Sequence, residues 1–276
     1  GAIRLEKTGE MFTGVQRLVN QEGKYQVNKP VYSKGELKGA EVQIKATTEI
    51  TIGDKIYREG DVVDTLISGE KDESIKLPLG TYTLVETKAP EGYVLDTKEH
   101  SVTIEANATP NQPSVAIHKL ENKKAIPKIQ LYKSFFGQTD AEAKDLYERV
   151  LFGVYAKEDI RGASSDAVLR KDELVGLIRM KEDGTGTLTD DTLLPFGSYY
   201  VKELETAEDY QVSDKEYPFT VNAETMGSSA EPEGTPETGE ESVYREILIE
   251  GISKDNPVIN SPEDAKVPFA FLKTGE

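Results

Sequence analysis

Two glutamates stand where a β-strand would bury them. Glu86 follows Tyr82 and Leu84 at alternate positions, and Glu203 occupies the matching place in a second, similar segment. Because alternate side chains of a strand point to the same face, each acid lies on the apolar face that packs into a core. A lone buried carboxylate is costly unless it is neutral or partnered. Two such acids at matched positions therefore predict a chemical role.

Two lysines share this inward position. Lys7 alternates with Ile3 and Leu5, and the same Ile-x-Leu-x-Lys pattern ends at Lys133. Burial lowers the pKa of an amine and raises that of a carboxylic acid, so a buried pair can supply a neutral amine and a protonated acid. The plainer interpretation is that Lys7 and Glu86 form a buried salt bridge, or that both side chains reach the surface.

The strands that carry these residues belong to an internal repeat. Gly, Tyr, Glu and Tyr occur at positions 80, 82, 86 and 93, and again at 197, 199, 203 and 210. A third opening pattern ends at Lys273, and Lys-Thr-Gly-Glu stands at both 7–10 and 273–276. We therefore predict one domain at residues 1–126, a second at 127–268, and the first strand of a following repeat at 269–276.

The remainder of the chain consists of short apolar runs separated by Gly, Pro, Asn and Asp, which is typical of an all-β protein. One segment, residues 140–150, has helical composition and is predicted to be a surface insertion. Residues 228–241 are acidic and rich in Gly and Pro, and we predict a loop or linker there.

Composition excludes several functions. The 276 residues suit two domains, and the net charge of -17 disfavours binding to nucleic acid. No apolar run is long enough to cross a bilayer, so we expect no membrane insertion. The chain has no cysteine, and its two histidines, His100 and His118, cannot form a zinc site unaided. We expect no cofactor and no metal, since the acidic stretch 181–191 lacks the spacing of an EF-hand.

The sequence around Glu86 resembles a known motif. The pattern Tyr-x-x-x-Glu-x-x-Ala-Pro-x-Gly-Tyr at residues 82–93 is similar to the E-box of CnaB or SpaA-type, prealbumin-like repeat domains of Gram-positive adhesins and pilins. In the second copy Ala207 replaces Pro90 and Asp209 replaces Gly92, changes that concern only the turn after the strand. The resemblance implies an all-β chain of two tandem Greek-key β-sandwich domains.

The resemblance also implies an isopeptide bond within each domain, between a lysine of the first strand and an asparagine of the last, promoted by the E-box glutamate. Carried over to this sequence, the two sets are Lys7, Asn122 and Glu86 in the first domain and Lys133, Asn260 and Glu203 in the second. Asn256 is the alternative partner in the second domain, because an insertion before it leaves open how the last strand aligns with that of the first domain.

Such a bond needs a neutral amine, and lysine in water is charged at neutral pH. A protonated glutamic acid can hydrogen-bond the asparagine carbonyl, polarise it toward attack, and pass a proton to the departing ammonia. Folding holds the three groups together, which replaces a bimolecular encounter by a fixed geometry. The reaction would occur once per domain, so we expect no enzymatic turnover.

The sequence bears on three possible functions. The resemblance implies a structural stalk or spacer in a cell-wall-anchored adhesin or pilus, extracellular, monomeric, and flanked by neighbouring repeats of the same chain. The alternative is an adhesive region for a host matrix protein or glycan, carried by the insertions at 11–34 and 134–149. A glycosidase with paired carboxylates is disfavoured, because Asp and Glu are abundant and the chain has no Trp to stack on sugars.

Overall fold

A computed structural model describes residues 1–109, 111–188, 192–226 and 244–262. The predicted strand at 269–276 and the predicted linker at 228–241 lie outside these residues. Within the described ranges, no helix has both the length and the apolar character needed to cross a membrane.

The first half of the chain is built from nine strands. They are β1 (Ala2–Val19), β2 (Gln26–Glu36), β3 (Glu41–Ala46), β4 (Ile50–Ile52), β5 (Lys55–Tyr57), β6 (Val62–Ile67), β7 (Gly80–Lys88), β8 (Glu99–Ile104) and β9 (Val115–Glu121).

Seven of these strands form two packed sheets, and β4 and β5 pair separately as a two-stranded sheet. One sheet has the order β6-β3-β7-β8 with antiparallel pairing, and the other has the order β2-β1-β9, in which β1 and β9 run parallel. The core between them combines Ile3 and Leu5 of β1 with Ile44 of β3 and Leu84 of β7, all at most 2% exposed. The first and last strands of this unit are therefore neighbours, and Lys7 pairs in register with Leu120.

The second half repeats this plan with two short helices. Its elements are β10 (Ile126–Phe135), α1 (Asp140–Tyr147), β11 (Leu151–Ala156), β12 (Ile160–Arg161), β13 (Val168–Leu169), β14 (Leu174–Arg179), β15 (Thr185–Thr187), β16 (Gly197–Glu205), β17 (Glu216–Val221), α2 (Ala223–Met226), β18 (Tyr244–Ile247) and β19 (Val258–Asn260).

The sheet order β14-β11-β16-β17 matches β6-β3-β7-β8 of the first unit. Strand β10 takes the place of β1, and β18 and β19 both pair with it in parallel, as β9 pairs with β1. A second apolar core includes residues from Ala125 to Val258. The predicted boundary at 126/127 stays a prediction.

Helix α1 lies in the segment for which the sequence predicts a helix, and it ends three residues before position 150. Thr139 and Glu142 form a capping box, in which each side chain accepts a hydrogen bond from the backbone N–H of the other residue. Ala143 and Tyr147 are buried, and the Tyr147 ring lies 5.7 Å from that of Phe135. One face of the helix thus packs on β10.

The insertion at 11–34 forms a long hairpin from the ends of β1 and β2, and this hairpin lies against the second unit. Phe12 belongs to the second unit's core, and its carbonyl oxygen accepts a hydrogen bond from Ala163 N at 2.9 Å. A Cβ atom on Gly162 would lie 2.3 Å from that same oxygen, so only glycine permits this approach. Tyr32 Oη also donates to the carbonyl oxygen of Leu193 at 3.1 Å. The hairpin therefore connects the two units.

Candidate functional site

Three polar side chains meet in the interior of the first unit. Lys7 lies on β1, Glu86 on β7, and Asn122 directly after β9. Their exposed fractions are 3%, 3% and 2%, among the lowest of the polar residues that the structure describes. The alternating pattern that turns Ile3 and Leu5 inward also turns Lys7 inward, as the sequence predicts.

Glu86 holds the other two groups together. Its Oε1 atom lies 2.7 Å from Lys7 Nζ, and its Oε2 atom accepts a hydrogen bond from Asn122 Nδ2 at 2.8 Å. Oε2 also accepts from the backbone N–H of Asp96 at 2.7 Å, and Asn122 Nδ2 donates to the carbonyl oxygen of Val94 at 2.8 Å. One carboxyl group thus contacts both the amine and the amide.

Burial lowers the pKa of Lys7, and this effect outweighs the hydrogen bond and the negative charge of Glu86, which raise it. The neutral amine is therefore more accessible here than in water. An amine in this form is a nucleophile, and the carboxamide of Asn122, which contacts the same carboxyl group, is an electrophile.

The second unit brings together the matching residues. Lys133 lies on β10, Glu203 on β16, and Asn260 at the end of β19, and each is at most 3% exposed. Asn260 Nδ2 donates to Glu203 Oε2 at 2.8 Å and to the carbonyl oxygen of Gln211 at 2.6 Å. The backbone N–H of Ser213 donates to the same Oε2 at 2.7 Å. In the first unit, Asn122 makes the same two contacts with Glu86 and the carbonyl oxygen of Val94, and the N–H of Asp96 makes the same contact as that of Ser213.

The lysine of the second unit has different partners. Lys133 Nζ donates to the carbonyl oxygens of Ser134 at 2.6 Å and Val258 at 3.1 Å, and it lies 4.4 Å from the Phe135 ring centre. Burial lowers the pKa of Lys133 to about 8, although the charge of Glu203 raises it. Burial also raises the pKa of Glu203, against the hydrogen bonds from Asn260 and Ser213. Both shifts favour the neutral forms.

The structure places the two candidate asparagines of the second unit in different surroundings. Asn260 is 1% exposed and contacts Glu203, whereas Asn256 is exposed and its Nδ2 donates to the carbonyl oxygen of Gly251 at 2.7 Å. Only Asn260, of these two, is in contact with the acid. Its role as bond partner stays a prediction.

Thr206 is a residue of the site that sequence reasoning missed. Its Oγ1 atom donates to Asn260 Oδ1 at 2.8 Å, so it polarises the amide carbonyl. The matching position of the first unit is Ala89, and Asn122 Oδ1 has no hydrogen-bond partner among the described residues. Because this hydroxyl departs from the repeat, comparison of the two copies could have identified it.

The two histidines lie on strands of the first unit, beside the site. His100 of β8 and His118 of β9 have ring centres 5.0 Å apart, and His100 Nε2 lies 2.6 Å from Asp96 Oδ2. Within the described residues, no group of three or more His, Asp or Glu is arranged to hold a metal ion.

This fold and its repeated sequence pattern are those of a known class of domain. The chain matches the SpaA prealbumin-like fold domain over residues 23–118 and 136–234, more than half of its length, and it belongs to this family. The prediction of an all-β chain with two tandem prealbumin-like domains is confirmed. No curated protein sequence matches the chain.

Several solved structures are similar. The TIE protein of Bacillus anthracis has 17% identity and a TM-score of 0.52, over 95% of this chain and 34% of that one. The C-terminal fragment of the pilus adhesin SpaC from Lactobacillus rhamnosus GG has 12% identity and a TM-score of 0.41, over 95% of this chain and 97% of that one. The SpaE basal pilin of the same organism has 13% identity and a TM-score of 0.35, over 94% and 98%. The chain thus spans about a third of the TIE protein.

Proposed function

We propose that this chain is a structural stalk segment of a Gram-positive surface adhesin or pilus. Each module is cross-linked by an isopeptide bond, Lys7 to Asn122 in the first and Lys133 to Asn260 in the second. The observation that carries the proposal is the contact of one buried carboxyl group, Glu86, with both an amine and an amide. A matching acid and amide occur in the second module.

The reaction in the first module begins with proton transfer. The proton of Lys7 passes to Glu86 Oε1 along their 2.7 Å contact, which leaves a neutral amine and a protonated acid. The amine attacks the side-chain carbonyl carbon of Asn122. Glu86 then gives its proton to Nδ2 and takes one from the attacking nitrogen. The bond from carbon to Nδ2 breaks, ammonia leaves, and one proton remains on Glu86.

The position of the bond suits a molecule under tension. Lys7 and Asn122 belong to the first and last parts of the module, which lie side by side because β1 and β9 pair in parallel. Force that enters near one end and leaves near the other would pass through the bond instead of separating the sheets. The bond would also close a loop of about 115 residues, which by analogy with a disulfide stabilises the fold by roughly 5 kcal/mol.

The hairpin between the modules supports the same function. Lys24 near its tip pairs with Glu205 at 2.9 Å, and Glu22 pairs with Arg179 at 3.2 Å, while Phe12 lies in the second core. A stalk that transmits force needs modules that hold their relative orientation. The expected setting is the cell wall or cell surface, with neighbouring repeats of the same chain as partners and no catalytic turnover.

Intact-mass spectrometry of the denatured chain tests the proposal. We expect a mass lower than that of the sequence by two ammonia molecules, with peptide mapping that recovers the Lys7–Asn122 and Lys133–Asn260 links. Glu86→Ala and Glu203→Ala should each restore the mass of one ammonia. A wild-type chain with the full sequence mass would refute the cross-links. Specific binding of the fragment to a matrix protein or glycan on a solid phase would favour the adhesive alternative.

A further inference from the structure

A short loop after each E-box strand supplies the backbone groups that hold the site. In the first module the carbonyl oxygen of Val94 accepts from Asn122 Nδ2 at 2.8 Å, and the N–H of Asp96 donates to Glu86 Oε2 at 2.7 Å. The loop therefore orients both the electrophile and the acid. Its own conformation decides whether these two groups meet.

The side chain of Asp96 anchors this loop. Its Oδ1 atom accepts a hydrogen bond from the N–H of Lys98 at 2.9 Å, and its Oδ2 atom lies 2.6 Å from His100 Nε2 on β8. His100 in turn lies against His118 of β9, with ring centres 5.0 Å apart. The loop is thus attached to β8, which borders the E-box strand β7.

The second module has uncharged residues at the corresponding positions. Ser213 stands at the position of Asp96, and its Oγ atom accepts a hydrogen bond from the N–H of Lys215 at 3.3 Å. Tyr217 of β17 stands at the position of His100. The backbone N–H of Ser213 contacts Glu203, as that of Asp96 contacts Glu86.

A carboxylate in one module and a hydroxyl in the other therefore accept the same turn hydrogen bond, from the N–H two residues further along the chain. This replacement indicates that the loop needs a side-chain acceptor at this position and not a particular charge. The side chains of Asp96 and His100 make no hydrogen bond to Lys7 or Asn122, so they orient the site through the loop backbone. The charge of Asp96 by itself raises the pKa of Lys7, which disfavours the neutral amine.

We propose that Asp96 with His100, and Ser213 in the second module, are positioning residues for the two isopeptide bonds. Each fixes the loop whose backbone holds the acid and the amide in contact. This inference rests on the proposed function. A displacement of about 1 Å can slow a reaction between aligned groups by about 100-fold. Loss of Asp96 or of Ser213 should therefore slow bond formation in its own module and leave the other unchanged.

The test follows bond formation after synthesis in a cell-free translation reaction, with samples denatured at intervals and digested for mass spectrometry. Asp96→Ala should slow the Lys7–Asn122 link by about 10-fold or more, while the Lys133–Asn260 link in the same chain serves as the internal reference. The double variant Asp96→Ser with His100→Tyr installs the second module's residues and should restore the rate to within about 3-fold. Asp96→Asn, which keeps an acceptor, should do the same.

Thr97→Ala is the matched control, because Thr97 is an exposed residue of the same loop. Hydrogen exchange of the residue 96 amide gives a second measurement that does not require the bond. In a Lys7→Met background, Asp96→Ala should remove the protection of this amide and the double variant should restore it. A wild-type linking rate and unchanged amide protection in Asp96→Ala would overturn the inference. If the wild type protected the residue 96 amide from exchange but formed no Lys7–Asn122 link, the proposed function would be refuted instead.

Discussion

Lys133 and Asn260 lie on neighbouring parallel strands, with Asn260 two residues beyond Val258, the register partner of Lys133. Asn122 lies two residues beyond Leu120, which is the register partner of Lys7. The two modules therefore share the same strand register at the site as well as the same sequence pattern. In both modules this offset brings the amide to the E-box acid at 2.8 Å.

This register predicts which asparagine reacts in the second module. Asn260→Ala should raise the mass of the denatured chain by one retained ammonia, after allowance for the substitution. Asn256→Ala should leave the ammonia deficit unchanged, because Asn256 lies in an exposed turn. Intact-mass spectrometry of the two variants distinguishes them. Retention of ammonia in Asn256→Ala alone would reverse the assignment.

Thr206 should accelerate the second bond and not the first. Its hydroxyl donates to Asn260 Oδ1 at 2.8 Å, where negative charge develops when the amine attacks. Loss of a single donor of this kind costs about 100-fold or more in enzymes, and we expect Thr206→Val to slow the second link by at least about 10-fold. Time-resolved peptide mapping measures this, with the first link as reference. Equal slowing of both links would indicate a general folding defect.

Stability should depend on pH through Lys124. Its Nζ atom lies 5.5, 5.2 and 5.7 Å from the ring centres of Tyr32, Tyr93 and Phe196. Burial lowers the pKa of Lys124 to about 8. Between about pH 8 and 10.5 the unfolded chain binds a proton that the folded chain has lost, so stability rises with pH across this range.

We expect the free energy of unfolding to rise by about 2 kcal/mol across this pH range. This is less than the full value from the two pKa values, because Lys124 is only partly buried. Denaturant unfolding at several pH values measures it, and Lys124→Met should abolish this component. Burial raises the pKa of Tyr93 to about 12, so that phenol stays neutral in the window. If Lys124→Met left the pH dependence of the free energy of unfolding unchanged, the prediction would be wrong.

Phe12 should couple the two modules. Phe12→Ala removes a ring that is 6% exposed in the second core and should destabilise the second module by about 3 kcal/mol. In Phe12→Ala, the distance between one spin label in each module should have a broader distribution than in the wild type, as measured by electron paramagnetic resonance. Leu18→Ala, on the same strand but 40% exposed, is the control and should change neither measurement. A narrow distribution in Phe12→Ala would show that the other hairpin contacts suffice.

Much of the fold could be predicted from sequence, because strand alternation is a local property. The pattern places Lys7 and Glu86 on inner faces, and the structure buries both. The resemblance of residues 82–93 to the E-box indicated the family, and the family is confirmed. The helix at Asp140–Tyr147 was also predictable, since its composition and its capping residues are adjacent in the chain.

Other features depend on contacts between distant residues. The sequence predicted a strand at residues 3–7 and an insertion after it, but the structure extends β1 to Val19 and lays its hairpin on the second module. Phe12 is buried where residues of the second module, including Gly162, approach it, and no local pattern records that approach. The partners of Lys133 are two carbonyl oxygens of β10 and β19, which a pattern of side chains does not reveal.

The sequence alone thus determined which faces the reactive side chains occupy, because period-two alternation requires only neighbouring residues. Tertiary structure decided which amide meets which acid, and which loop holds them. The register of parallel strands β10 and β19 is set by the packing of segments more than a hundred residues apart, and the contacts of Asn260 follow from it.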